Sequence, residues 1–114
     1  MALKPLDVPK PEPDYKGPKL EPPDSPITVD WVMSLIRHFQ QYPDVPLPAR
    51  YLCRLLADAE ARFKSHRTPV WQIDLPDEDT ELVVVGDTHG QLEDVLWIFY
   101  KLGPPSPQNR YLIN

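Results

Sequence analysis

The chain is short of three things, and each shortage narrows what it can be. It has one cysteine, Cys53, in 114 residues. A lone cysteine makes no internal disulfide, which points to a reducing compartment, the cytoplasm or the nucleus. No apolar run approaches the ~18–20 residues of a membrane span. The opening MALKPLDVPKPEPD also lacks the apolar core of a secretory signal. Basic charge is scarce too: 12 Lys and Arg against 17 Asp and Glu leave a net charge of −5. Nonspecific binding to nucleic acid or an anionic membrane needs a basic face, so neither is an expected partner.

Proline is in excess, with 16 residues against an average usage of roughly 5%. Eight of the prolines lie within residues 1–26, and the charges there nearly cancel, four Lys against five Asp and Glu. That composition predicts a disordered, extended linker over residues 1–26. The folded part is then 27–114. The Pro-rich arm is also a candidate ligand for a PxxP-reading partner.

Two helices are predicted next. Thr28 suits the N-cap of the first, with Asp30 in its first turn. Trp31, Val32, Leu35, Ile36 and Phe39 recur at helical spacing, and Pro43 ends the run. A second helix is predicted over 47–64, with Pro48 in its first turn. Tyr51, Leu52, Leu55, Leu56, Ala59 and Phe63 form its expected buried stripe. Together the helices make a helical hairpin.

The pattern changes after Thr68-Pro69. Val70, Trp71, Ile73 and Leu75 suit a strand, and 76–80 a turn, which predicts a β-hairpin-like pair with the strand that follows. Five carboxylates between Asp74 and Glu81 are read as a solvated tip, since the spacing lacks the glycine and ordered ligands of a calcium loop. Leu82-Val83-Val84-Val85 reads as a strand buried on both faces. Leu92, Val95, Leu96, Phe99 and Leu102 then mark a helix that Gly103-Pro104-Pro105 terminates, and Tyr111-Leu112-Ile113 begins another strand. Residues 81–114 are thus one expected βαβ unit, and the fold class is α/β. Cys53 is expected in the core, and the three tryptophans either in the core or as stranded apolar surface. His38 and His66 are expected in surface or packing roles. Ser25, Thr68 and Ser106 each precede a proline and are candidate phosphosites.

Gly86-Asp87-Thr88-His89-Gly90 lies between the Val-rich strand and its helix, where open α/β sheets bind ligands. Asp87 offers a hard carboxylate oxygen and His89 an imidazole nitrogen, a pair suited to a divalent manganese, iron or zinc ion. The glycines permit close approach of backbone to a ligand. The alternative is that Asp87 caps the helix and His89 is an ordinary turn histidine.

Residues 86–91 resemble the first signature of the phosphoprotein phosphatases, the metal-dependent serine/threonine protein phosphatases. Leu92-Glu93-Asp94-Val95-Leu96, Ile98-Phe99, Gly103-Pro104-Pro105-Ser106 and Asn109–Asn114 resemble the family's approach to its second metal signature. Thr88 resembles the phosphatase 5-like branch. So do Tyr15–Glu21 and Ile27-Thr28-Val29, and the resemblance covers about residues 15–114.

The resemblance implies hydrolysis of phosphoserine and phosphothreonine in phosphoprotein substrates by a water activated between two divalent metal ions. It implies Asp87 and His89 as ligands of one ion, an α+β metallophosphoesterase-like fold with a helix-flanked β-sandwich, and a possible regulatory protein partner. It also implies that 27–114 is the N-terminal portion of a catalytic domain, lacking the later signatures and the upstream tetratricopeptide repeats, and inactive by itself. Another metallophosphoesterase, or a noncatalytic module built on the arm and hairpin, remain alternatives.

Overall fold

A computed structural model describes residues 11, 13–22 and 24–114. It comprises two compact units that divide between Pro69 and Val70. Among the described residues the regular elements are three helices and one two-stranded sheet. No described helix is long and apolar enough to cross a membrane.

In the first unit, α1 (Val29–Gln41) starts where Thr28 caps it: the Thr28 hydroxyl accepts the Trp31 amide at 3.2 Å. The second helix, α2 (Ala49–Ser65), begins two residues later than the sequence predicts. Pro48 is its N-cap, not a first-turn residue, and its carbonyl accepts the Tyr51 and Leu52 amides.

The core of this unit is Tyr15, Leu20, Trp31, Leu35 and Tyr51, with Ile27, Phe39, Leu47 and Leu55 packed against it. This corrects the expected 1–26 linker. Residues 1–10, 12 and 23 lie outside the described residues, but Tyr15 and Leu20 are only 8% and 3% exposed. The reason is local. Both side chains are apolar enough to favour burial, and Gly17 lets Tyr15 fold back, since a Cβ there would overlap the Tyr15 ring and hydroxyl. Fully burying a Leu-sized side chain contributes about 1.5–3 kcal/mol, enough to offset the ordering of a short strap.

The α2 stripe also needs correction. Tyr51 is buried, but Leu52, Leu56 and Phe63 are 46%, 60% and 68% exposed. Periodicity marks an apolar face; it does not supply the element that covers it.

In the second unit, β1 (Glu81–Val85), α3 (Leu92–Leu102) and β2 (Asn109–Ile113) form the expected βαβ order. The strands pair in parallel, with Glu81 opposite Asn109 and Val85 opposite Ile113. Phe99 of α3 meets Tyr111 of β2 edge-on, ring centres 5.1 Å apart. Because side chains alternate faces along a strand, Val83 and Tyr111 share the face that α3 covers. Val84 and Leu112 occupy the other and are 66% and 41% exposed. The strand is therefore covered on one face, not two.

The expected hairpin is absent as well: residues 70–75 form no strand. Pro69 and Pro76 flank this short run without donors. The Arg110 guanidinium, not a strand amide, takes the Asp74 carbonyl at 2.9 Å. The turn after it does form, with the Thr80 hydroxyl and amide both bonded to Asp77.

Candidate functional site

The β1 strand ends at Val85, whose carbonyl accepts the Asn114 amide at 2.9 Å. The chain then leaves the sheet at Gly86. Asp87 Oδ1 accepts the His89 amide at 2.9 Å, closing a side-chain-to-backbone turn across two residues. The Gln91 amide bonds the Thr88 carbonyl at 2.9 Å and leads into α3. Within this turn His89 has φ +52° and Gly90 φ +70°. Glycine takes that conformation freely; histidine pays of order 1–3 kcal/mol of backbone strain there.

The turn brings the two predicted ligands together. Asp87 Oδ2 and His89 Nε2 are 3.4 Å apart, and both side chains are exposed. Two donors bound to one tetrahedral ion at ~2.0–2.2 Å would stand about 3.4 Å apart. The pair thus fits one divalent ion in chemistry and in spacing. The same separation suits a surface ion pair with protonated His89, which would contribute little to stability. Among the described residues no group of three or more His, Cys, Asp or Glu converges.

Sequence reasoning missed two other features. The first is a cavity of about 810 Å³ in the helical unit, with Asp14, Tyr15, His38, Tyr42 and Pro46 among its lining residues. Tyr15 and His38 are 8% and 7% exposed, and the Tyr15 hydroxyl and His38 Nε2 are buried without a hydrogen-bond partner. Burial, and secondarily Tyr51, push the Tyr15 phenol above its usual value of 10.0. The available signal was a pair of large apolar residues, Tyr15 and Leu20, inside a stretch otherwise read as linker. The second feature is the side-chain cap at the end of α3, where Asn109 Nδ2 donates to the Leu102, Gly103 and Pro104 carbonyls. His66 is exposed, Cys53 is half-buried, and of the tryptophans only Trp31 is buried.

A family model described as the PPP5 TPR repeat region matches residues 2–70. The chain belongs to the PP5-like serine/threonine phosphatase family. It is 39% identical over 113 residues to serine/threonine-protein phosphatase T of Schizosaccharomyces pombe, covering 98% of this chain and 22% of that protein. It is 37% identical over 102 residues to human serine/threonine-protein phosphatase with EF-hands 2, covering 88% of this chain and 12% of the relative. Rat serine/threonine-protein phosphatase 5 is 30% identical over 112 residues, covering 90% of this chain and 19% of its own length. The chain therefore spans about a fifth or less of these relatives.

The matched region ends at residue 70, beside the division between the two units. The helices given above to the catalytic portion thus fall inside the TPR-region match. Within 2–70 the described residues hold one helix pair, α1 and α2, whereas a tetratricopeptide stack needs three or more repeats.

Proposed function

We propose that this chain is a part of a serine/threonine protein phosphatase that joins a regulatory, protein-docking helical unit to the first metal-ligating turn of the catalytic centre. One observation carries the catalytic half: Asp87 Oδ2 and His89 Nε2 converge to 3.4 Å where β1 ends. Asp87 and His89 would hold one of two divalent ions, manganese, iron or zinc. When bound, such an ion pair lowers the pKa of water and offsets charge on the transferring phosphoryl group. The chain's own part is to orient. The Oδ1 bond to the His89 amide fixes the carboxylate so that Oδ2 faces the imidazole. Gly86, with no atom within 4 Å of an added Cβ, leaves the approach open. The substrates would be phosphoserine and phosphothreonine proteins of the cytoplasm or nucleus.

The match of residues 2–70 to a TPR repeat region favours protein docking by the helical unit, and the exposed Leu52, Leu56 and Phe63 offer it an apolar face. Phosphopeptide hydrolysis with added manganese tests the catalytic half. The 114-residue chain alone, with two ligands for one ion, is expected to show no turnover. In the full-length polypeptide, Asp87→Asn and His89→Ala should each lower kcat at least roughly 100-fold, the upper range for losing even an outer-shell partner. Full activity in either variant would remove the turn from the catalytic centre. Hydrolysis of a phosphodiester in preference to a phosphopeptide would favour another metallophosphoesterase.

A further inference from the structure

The end of α3 is closed by a side chain from the next strand. Two Asn109 amide hydrogens are shared among three carbonyls, those of Leu102 at 2.9 Å, Gly103 at 3.1 Å and Pro104 at 3.2 Å. Only donors satisfy carbonyls, so the amide orientation is fixed, and Asn109 Oδ1 is left buried without a partner. The Tyr111 hydroxyl adds a bond to the Gly103 carbonyl at 2.6 Å. Ser106 and Asn109 bond each other's backbone in both directions. Gly103 itself sits at φ +85°, and a Cβ there would come within 3.3 Å of Asn109 Nδ2.

Asn109 is also the first residue of β2, opposite Glu81. Five residues on, the Asn114 amide reaches the Val85 carbonyl, one residue before Gly86. A parallel strand that slips by one residue turns every side chain to the other face. Something must therefore pin β2 along β1.

We propose that Asn109 is the positioning residue for the Gly86–Gly90 turn: its carboxamide ties the end of α3 to the start of β2 and so sets the register that carries Asn114 beside Gly86. The register claim stands on the hydrogen bonds alone. Its bearing on a metal rests on the reading of Asp87 and His89 as ligands.

The test is amide hydrogen exchange of the 114-residue chain, with Asn109→Asp and Asn109→Ala. Asp matches Asn in shape but presents a carboxylate to three carbonyls at a negative helix end. A packing role predicts that Asp behaves like the wild type and Ala is worse. A donor role reverses the order. Protection of the Asn114 amide should fall at least tenfold in Asn109→Asp and less in Asn109→Ala, with amides of α1 unchanged. If Asn109→Asp unfolds the second unit, Asn109→Ala decides, by losing protection at Asn114 more than at Phe99. Wild-type protection of Asn114 in both variants, or an unprotected Asn114 in the wild type, overturns the proposal. A Zn²⁺ titration of the full-length polypeptide, followed at the His89 imidazole, separates the two readings. No response in the wild type defeats the metal assignment and leaves the register result standing. With a response, Asn109→Asp should raise the midpoint severalfold.

Discussion

At the scale of single residues, the most informative position is Tyr15. Its hydroxyl is buried and unpartnered, so removing it should cost little. Tyr15→Phe is expected to leave the helical unit as stable at pH 7 or up to about 1 kcal/mol more stable, because an unsatisfied buried group carries its desolvation penalty. Chemical denaturation monitored by circular dichroism checks this. The same burial raises the phenol's pKa above 10.0. Below pH 10 folded and unfolded chains both keep the proton. As pH climbs past 10 the unfolded chain gives it up first, so stability is lost toward the folded-state value. Tyr15→Phe should show a shallower decline over that alkaline range. Equal slopes would mean that Tyr15 is not held in the core. Gly17 supports the same contact: Gly17→Ala places a methyl group in the Tyr15 ring. It should destabilise the unit by about 1–3 kcal/mol, the usual cost of overpacking.

At the scale of elements, what was legible in the sequence is what short-range chemistry decides. Thr28 announced α1 because its hydroxyl can reach the Trp31 amide. Gly103 announced the end of α3 because that site needs a positive φ. Asp87 and His89 were legible as neighbours because a two-residue spacing across a Gly-bounded turn leaves them few other arrangements. What was not legible depends on coverage by distant residues. Val70, Trp71, Ile73 and Leu75 have strand-like side chains, yet residues 70–75 form no strand. Leu52, Leu56 and Phe63 keep helical spacing on α2 without burial. The Asn109 cap joins residues across a loop, and no local pattern signals it. The strap of Tyr15 and Leu20 was obscured by proline content, which reports the average of a segment and not its two anchoring side chains. Leu20 gives a direct test. Leu20→Ala should destabilise the helical unit by about 2–5 kcal/mol, as for other buried leucines, whereas a free linker would be indifferent. Urea unfolding followed by circular dichroism distinguishes the two.

At the scale of the whole molecule, apolar surface left open is the dominant property. Val84 and Leu112 form a bare sheet face, and Trp97 and Tyr100 are 61% and 77% exposed. Parallel sheets are ordinarily covered on both faces, and unpaired strand edges template association. The purified chain should therefore self-associate. Its weight-average mass in sedimentation velocity should rise with concentration, and Val84→Lys with Leu112→Lys should suppress the rise severalfold. A monodisperse monomer over a hundredfold range of concentration would contradict this. The distribution of the three tryptophans has an optical consequence. Trp31 is buried edge-on to Tyr51, ring centres 6.4 Å apart, while Trp71 and Trp97 are at least half exposed. Emission from Trp31 should be blue-shifted and fed by energy transfer from Tyr51 and Tyr15, and the other two should emit as indoles in water. The helical unit thus carries its own fluorescent reporter. Loss of the blue component on adding a binding partner or denaturant would mark the opening of that unit.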